Sequence, residues 1–408
     1  MQAEIITIGN EVLRGQIRDT NSAFLALKLD SLGVDVTRIV TVGDSLEAMV
    51  VEINGAFSRS GLVVITGGLG PTSDDLTREA LAKALGRRLL FVEDLWGEIE
   101  GRLKRRGMTP SPGDRSQAYL PQGAQPIPNP LGIVPGIHIE IKGKSLFSFP
   151  GVPQEMRAMA EGYLFPKLKG KPTPYQILRT TGIPESEVYR RLKPLNISGG
   201  VRIAFLPSSL GVDLRVEASS GEGSQDVSQV VERIEEILAE AIYGREGEGL
   251  EEVVGGLLAQ REETLAIAES CTGGLICDRF TDVSGSSRYF ERGVISYSNQ
   301  AKMDLLGVSP DAMREYGAVS PQAAIAMAEG IRKISGTNYG LAVTGIAGPT
   351  GGSKEKPVGL VYIGFAHKDG SYCQRFLFPG PRRMNKERAA QAALNMMRLF
   401  LLKEDKGD

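Results

Sequence analysis

The run Leu62 to Thr66 presents no polar face before it enters Gly67 and Gly68. A strand turns successive side chains to opposite sides of its sheet, so an uninterrupted apolar strand must be covered on both. Ile5 to Ile8 is a second apolar, β-branched run, and Val34 to Val42 reads as a third strand. Helical spacing fills the intervals: Asn21 to Leu32, with Phe24, Leu25, Leu27, Leu29 and Leu32 in phase, and Leu46 to Phe57. Leu146 to Phe149 adds a strand, followed by a helix from Gln154 onward. Alternation of this kind predicts a parallel sheet with helices on both faces. Between these elements, Met108 to Pro135 is rich in Pro and Gly and reads as a long ordered loop near a site.

A chain of 408 residues exceeds what one core usually supports, so two or three domains are expected. Linker-like composition at Lys167 to Thr173 and at Gly244 to Gly249 divides it into 1–170, 171–247 and 248–408. The fold class is α/β, with a small α+β middle part. That part reads as strand Tyr175 to Thr180, helix Glu185 to Leu192, two strands within Val201 to Ala218, and helix Val227 to Tyr243. The last part is again α/β and ends in a helix from Asn385 to Leu402 with an apolar stripe.

A formal charge of -2 and a pI near 6.0 give no global attraction to nucleic acid or acidic membranes. Phosphate recognition, if present, is local. Cys271, Cys277 and Cys373 have neither zinc-ligand spacing nor an even count for disulfides, which suits a reducing compartment. No apolar run reaches the roughly 18 residues of a membrane helix, and the N-terminal MQAEIITIG lacks a basic leader. A cytoplasmic location is expected.

The chemistry concentrates near residue 270, where the apolar run Thr264 to Ile267 opens into Ala268, Glu269, Ser270, Cys271, Thr272, Gly273, Gly274. A hydroxyl at a strand-to-helix turn is exposed beside backbone N–H groups that could meet an oxyanion. Ser270 is thus a candidate nucleophile, with Thr272, Gly273 and Gly274 as oxyanion donors. The chain has only two histidines, His138 and His367, so the base must be something else. A desolvated lysine can serve. Lys302 follows the predicted strand Gly293 to Tyr297 closely enough to stand near its end, with Tyr297 to relay the proton or orient the amine and Asn299 nearby. Two other readings stay open: Ser270 as a helix cap, and Cys271 as a thiol nucleophile at a helix N-terminus.

Two glycine loops echo one another, Thr66 to Thr72 (TGGLGPT) and Thr344 to Thr350 (TGIAGPT). Both follow apolar strands, and glycines there let backbone N–H groups approach oxyanions. Beside the first, Asp74 and Asp75 open the next helix, and Asp44 and Glu11 follow strand ends on the same sheet edge. Carboxylates next to a phosphate loop invite a divalent cation; helix capping is the other reading for the aspartates.

The strings AESCTGG, GSSRYFERGVISYSNQAK, GAVSPQ and TGIAGPTGGSKEKPVGLVYIG resemble the CinA family, specifically its C-terminal domain, which also occurs as a stand-alone nicotinamide mononucleotide (NMN) deamidase. The resemblance covers essentially all of 250–408 and implies hydrolysis of the NMN carboxamide to nicotinate mononucleotide and ammonia. It puts the family's serine on Ser270, its tyrosine on Tyr297 and its lysine on Lys302, and it requires no cofactor. Gly345, Gly348, Gly351, Gly352 and Lys356 would then hold the phosphate or ribose.

The strings TIGNEVLRGQIRDTN, VGDS, TGGLGPTSDDLT and FPGVPQEM resemble the CinA N-terminal domain, related to the molybdopterin-binding fold. This implies a nucleotide site at Gly9, Glu11, Thr66, Gly67, Gly68, Gly70 and Thr72. It also implies an ADP-ribose pyrophosphatase dependent on a divalent metal ion at Asp44, Asp74 and Asp75, with or without a monovalent cation. The pattern departs from the family at Ile133 and Val134, where a Thr-Ala pair is usual, and at Gly113 and Asp114. RTTGIPESEVYRRL resembles the KH-like middle domain of full-length CinA proteins, yet the segment lacks the Gly-x-x-Gly loop that clamps nucleotides. A linking or dimerising role is expected, with a homodimer as the assembly and no nucleic-acid or membrane partner. The competing reading is a non-catalytic, molybdopterin-like ligand-binding protein linked to competence or DNA damage.

Overall fold

The computed structural model describes residues 1–168, 174–195, 197, 200–218 and 224–406. It divides into two compact units, Met1–Thr173 and Pro174–Asp408. Residues 169–173 of the first expected linker, and with them the expected boundary at 170, lie outside the described residues.

The first unit runs β1 (Gln2–Ile8), α1 (Thr20–Ser31), β2 (Asp35–Val42), α2 (Leu46–Arg59), β3 (Leu62–Thr66), α3 (Thr77–Ala84), β4 (Gln125–Ile127), β5 (Gly136–Ile141), β6 (Lys144–Phe149) and α4 (Pro153–Met159). Strand order is β2-β1-β3-β6-β5-β4; the first four are parallel, while β5 and β4 run antiparallel at the edge. Each β3 residue is buried. Val63 and Ile65 join Ile6, Ile8, Met49 and Ile53 on one face, and Leu62 and Val64 join Ala3, Ile5, Leu25, Leu29 and Phe147 on the other. The two cores are the doubly covered sheet that an all-apolar strand requires. Asp19 and Ser45 start α1 and α2 as side-chain caps, accepting from Ser22 and Ala48 N–H.

The Pro-rich stretch is not one loop. It holds a turn of helix at Pro112–Ser116, opened by a reciprocal Ser111/Asp114 capping box, and short strands at Tyr119–Pro121 and Gln125–Ile127. Pro126 fits because β4 is an edge strand that can forgo one ladder hydrogen bond.

The second unit begins with β7 (Tyr175–Thr180), α5 (Glu185–Leu192), β8 (Val201–Pro207), β9 (Val212–Ala218), α6 (Ser224–Leu238) and β10 (Ile242–Arg245). They form an antiparallel sheet ordered β8-β9-β7-β10. The helix expected to reach Tyr243 stops at Leu238, and Ala239 turns with φ 41°. Ile242 and Gly244 are drawn onto the edge of β7 instead, so Gly244 and Arg245 belong to a strand and not to a linker.

It continues α7 (Leu250–Arg261), β11 (Leu265–Glu269), α8 (Leu275–Thr281), β12 (Phe290–Ile295), α9 (Asn299–Leu306), α10 (Pro321–Ser335), β13 (Tyr339–Gly345), β14 (Leu360–His367), β15 (Gly370–Leu377) and α11 (Arg382–Lys406). Order is β12-β11-β13-β14-β15, with the first three parallel and the last two antiparallel. One face carries Leu265, Ile267, Leu341 and Val343 under α7, α8 and α11. The other is made of small residues, Ala266, Ala268 and Ala342, under Met327, Ala328 and Ile331 of α10.

Candidate active site

β11 ends at Glu269, and the Ser270 N–H donates to Val343 O of β13 at 2.9 Å. The chain leaves the sheet there through a turn whose Gly273 and Gly274 have φ of 64° and 94°, values that favour glycine. Opposite, Ser298 caps α9 by accepting from Ala301 N–H at 3.0 Å, which aims Lys302 inward one turn later. Lys302 is 1% exposed, and Nζ lies 3.0 Å from Ser270 Oγ and 2.7 Å from Ser296 O. Both partners are neutral. Burial therefore pushes the Lys302 ammonium below the ordinary lysine range. The structure brings together the hydroxyl and the amine that the scarcity of histidine called for.

Other expected residues stand differently. Ser270 does not cap α8, because the position before that helix is Gly274. The Gly273 N–H donates to Ser270 O at 3.1 Å and the Gly274 N–H to Glu269 Oε2 at 3.0 Å. Neither is free for an oxyanion, which corrects the expectation for those two donors. Among the described residues, the N–H groups of Cys271 and Thr272 donate to no other residue's backbone. Tyr297 is exposed, and its hydroxyl accepts from Arg382 Nη2 at 2.9 Å; the carbonyl of Ser296, not that phenol, holds the amine. Asn299 is exposed in the first turn of α9. Cys271 is buried, and burial pushes its thiol up to about 12, far from a thiolate at neutral pH.

The second glycine loop is shaped largely by its own packing. Gly345 pairs with Val361 in the sheet, and Cβ atoms added at Gly348 and Gly352 would stand 2.4 and 2.8 Å from Val358 atoms. Gly351 has φ 89°. Lys356 Nζ donates to Tyr316 O at 2.7 Å, so it is tethered to its own surroundings. Cations nearer the serine turn come from the start of α11, which sequence reasoning passed over. Arg382 donates to Gly348 O at 2.9 Å, Asn385 to Ala347 O at 3.1 Å, and Lys386 Nζ stands 3.4 Å from where a Gly273 Cβ would be. A signal was present: Arg382, Arg383 and Lys386 crowd the N-terminal end of a helix, where its dipole disfavours cations.

In the first unit, the loop after β3 is immobilised from behind. Buried Arg78 donates to Leu69 O and Gly70 O at 2.7 Å each, and Thr77 Oγ1 donates to Gly67 O at 2.9 Å. Thr66 is structural, donating to Pro150 O and accepting from Asn21. The carboxylates do not converge. Asp44 accepts from the Asn10 N–H at 2.9 Å, Asp75 accepts from the Thr72 N–H and hydroxyl, and the Glu11 carboxylate folds back over Gly9. Among the described residues, no group of three or more His, Cys, Asp or Glu could hold a metal ion. Asp44, Asp74 and Asp75, expected to hold a metal, are not gathered into such a group; Asp44 and Asp75 each accept from one of the chain's own N–H groups.

Fold and site together define a three-part α/β protein: a molybdopterin-binding-like domain, a KH-like domain, and a C-terminal domain with a buried Ser/Lys pair. Comparison with known sequences agrees part by part. Residues 4–170 match the probable molybdopterin binding domain, 175–244 the damage-inducible protein CinA KH domain, and 247–401 the CinA C-terminal domain. The competence-damage inducible protein of Caldicellulosiruptor bescii is 45% identical over 405 residues, covering 98% of each chain. That of Halothermothrix orenii is 42% identical over 411 residues, covering 98% of this chain and 99% of its own. A crystal structure of the CinA protein from Thermoplasma acidophilum, described there as of unknown function, is 38% identical, covering 40% of this chain and 94% of its own, with a TM-score of 0.38. The chain belongs to the CinA family of competence/damage-inducible proteins. No described helix is long and apolar enough to cross a membrane.

Proposed function

We propose that the C-terminal domain is a nicotinamide-nucleotide amidohydrolase that converts NMN to nicotinate mononucleotide and ammonia. The observation that carries this reading is the 3.0 Å contact between Ser270 Oγ and a Lys302 amine that is buried, among the described residues, without a counter-ion. Such an amine is readily neutral, so it can take the serine proton. Ser270 Oγ attacks the carboxamide carbon while Lys302 accepts its proton. The tetrahedral oxyanion meets the Cys271 and Thr272 N–H groups. Lys302 returns the proton to the departing nitrogen, the C–N bond breaks and ammonia leaves an acyl-serine. Water, deprotonated by Lys302, attacks that ester and releases the carboxylate and Ser270. Lys386, beside the serine turn, and Arg382, on the neighbouring glycine loop, offer positive charge for the 5′-phosphate.

The test is ammonia release from NMN by purified protein, compared with Ser270→Ala. Wild type is expected to turn over, and the variant to lose at least about a thousandfold in kcat. Equal rates would sink the assignment. A purely regulatory protein, the competing reading, would show no turnover in either.

For the N-terminal domain we carry a nucleotide pyrophosphatase acting on ADP-ribose or a related nucleotide. It is supported by the rigid glycine loop at the end of the central strand, where open α/β sheets bind ligands. With no metal group assembled, no step is assigned through a metal. Cleavage of ADP-ribose in the presence of magnesium ions tests it; an uncleaved substrate under conditions where NMN is hydrolysed would remove this second activity.

A further inference from the structure

Glu269 is wholly buried beside Ser270, and among the described residues no cation pairs with it. Its carboxylate accepts instead from three backbone N–H groups of the following helix: Gly274 at 3.0 Å, Ile276 at 3.1 and 3.2 Å, and Cys277 at 2.9 Å. These are the orphan donors of a helix N-terminus, the groups that would otherwise bind an external anion. Glu269 is also the last residue of β11, and its carbonyl accepts from Ser296 N–H at 2.8 Å. That same Ser296 holds the Lys302 amine through its own carbonyl at 2.7 Å. One residue thus grips the helix by its side chain and the lysine-bearing segment by its backbone, with Ser270 directly after it.

We propose that Glu269 is a positioning residue for the Ser270/Lys302 pair, an inference that rests on those two residues being the reacting groups. The clamp fixes both ends of the 270–274 turn, so Ser270 Oγ is held at Lys302 instead of wandering with a short, seven-residue helix. It also fills the helix N-terminus internally. The oxyanion is therefore confined to the N–H groups ahead of the clamp, and the substrate phosphate is excluded from that helix end.

Two measurements on the full-length chain test this. The first is amide hydrogen exchange in the wild type. Gly274, Ile276 and Cys277 are expected to exchange at least about a hundredfold more slowly than free amides. Unprotected amides would overturn the clamp, whatever the activity. The second is the kinetics of Glu269→Gln, whose single acceptor oxygen cannot satisfy all three donors, and of Glu269→Asp, which keeps the carboxyl group but shortens the reach by one methylene.

Both variants are expected to lower kcat for NMN, the Gln form about tenfold or more, with KM within about twofold and an unchanged pH midpoint. A merely structural role would lower the folded fraction and leave kcat per folded molecule intact, and that result overturns the proposal. Should the Gln form not fold, the Asp form decides by the same criterion. Activity surviving in Ser270→Ala would instead sink the nucleophile while leaving the exchange result standing, so the two failures are distinguishable.

Discussion

Lys302 sets the pH behaviour. Burial lowers its pKa from an ordinary 10.5, and in the proposed reaction the neutral amine is the working form. The rate is therefore expected to rise with pH through one ionisation lying below 10.5 and then level off, read from a kcat/KM profile on NMN. The stability sign follows from the same shift. Because the folded chain holds this proton less tightly than the unfolded one, folding is opposed below the unfolded pKa, and the opposition fades as pH rises from the folded value towards 10.5. Cys271 behaves oppositely: with its thiol pushed up to about 12, iodoacetamide at neutral pH is expected to leave NMN turnover unchanged. Rapid inactivation by alkylation would restore the thiol reading. At this scale the sequence carried the pairing of Ser270 with Lys302, since two histidines in 408 residues forced the search for a lysine. It concealed Glu269, whose contacts no local pattern encodes, and it hinted at Arg382 and Lys386 only through cations placed at a helix N-terminus.

Elements were legible wherever apolar periodicity was strong. β3, β7 and α5 have the predicted limits, and both strands predicted within Val201 to Ala218 formed. The misses fell where tertiary pairing overrode local propensity: the Pro-rich stretch that closes an edge of the sheet, and the helix cut short so that Ile242 could join β7. The small-residue face of the C-terminal sheet gives a sharper consequence. A Cβ at Gly364 of β14 would stand 2.2 Å from Ala324 O, and one at Gly340 of β13 would stand 2.1 Å from Ala328 O. Backbone meets backbone there, and neither can yield without moving α10. Gly364→Ala is expected to cost about 1–3 kcal/mol, measured as a drop in the urea midpoint; an unchanged midpoint would show that α10 can slide away freely.

For the whole molecule, composition pointed to three domains, whereas the described structure groups the middle and C-terminal parts into one compact unit from Pro174. The reason lies in α11. Arg398 donates to the carbonyls of Ile242 and Glu240, Gln391 to Thr181 Oγ1 at 3.3 Å, and Glu387 accepts from Ser209 at 2.8 Å. A fragment of residues 174–408 is expected to retain ammonia release and to melt as one transition. A fragment beginning at 248 leaves the 3%-exposed Arg398 without its carbonyls and is expected to lose roughly 1.5–3 kcal/mol from that residue alone. Equal melting temperatures for the two fragments would contradict this. The first turn of α11 meanwhile carries Arg382, Asn385 and Lys386 to the serine turn and its neighbouring loop. A single rod that is a wall of the catalytic cleft at one end and a seat for another domain along its length makes the two reciprocal: whatever free energy docking lends to substrate affinity, substrate must lend back to docking.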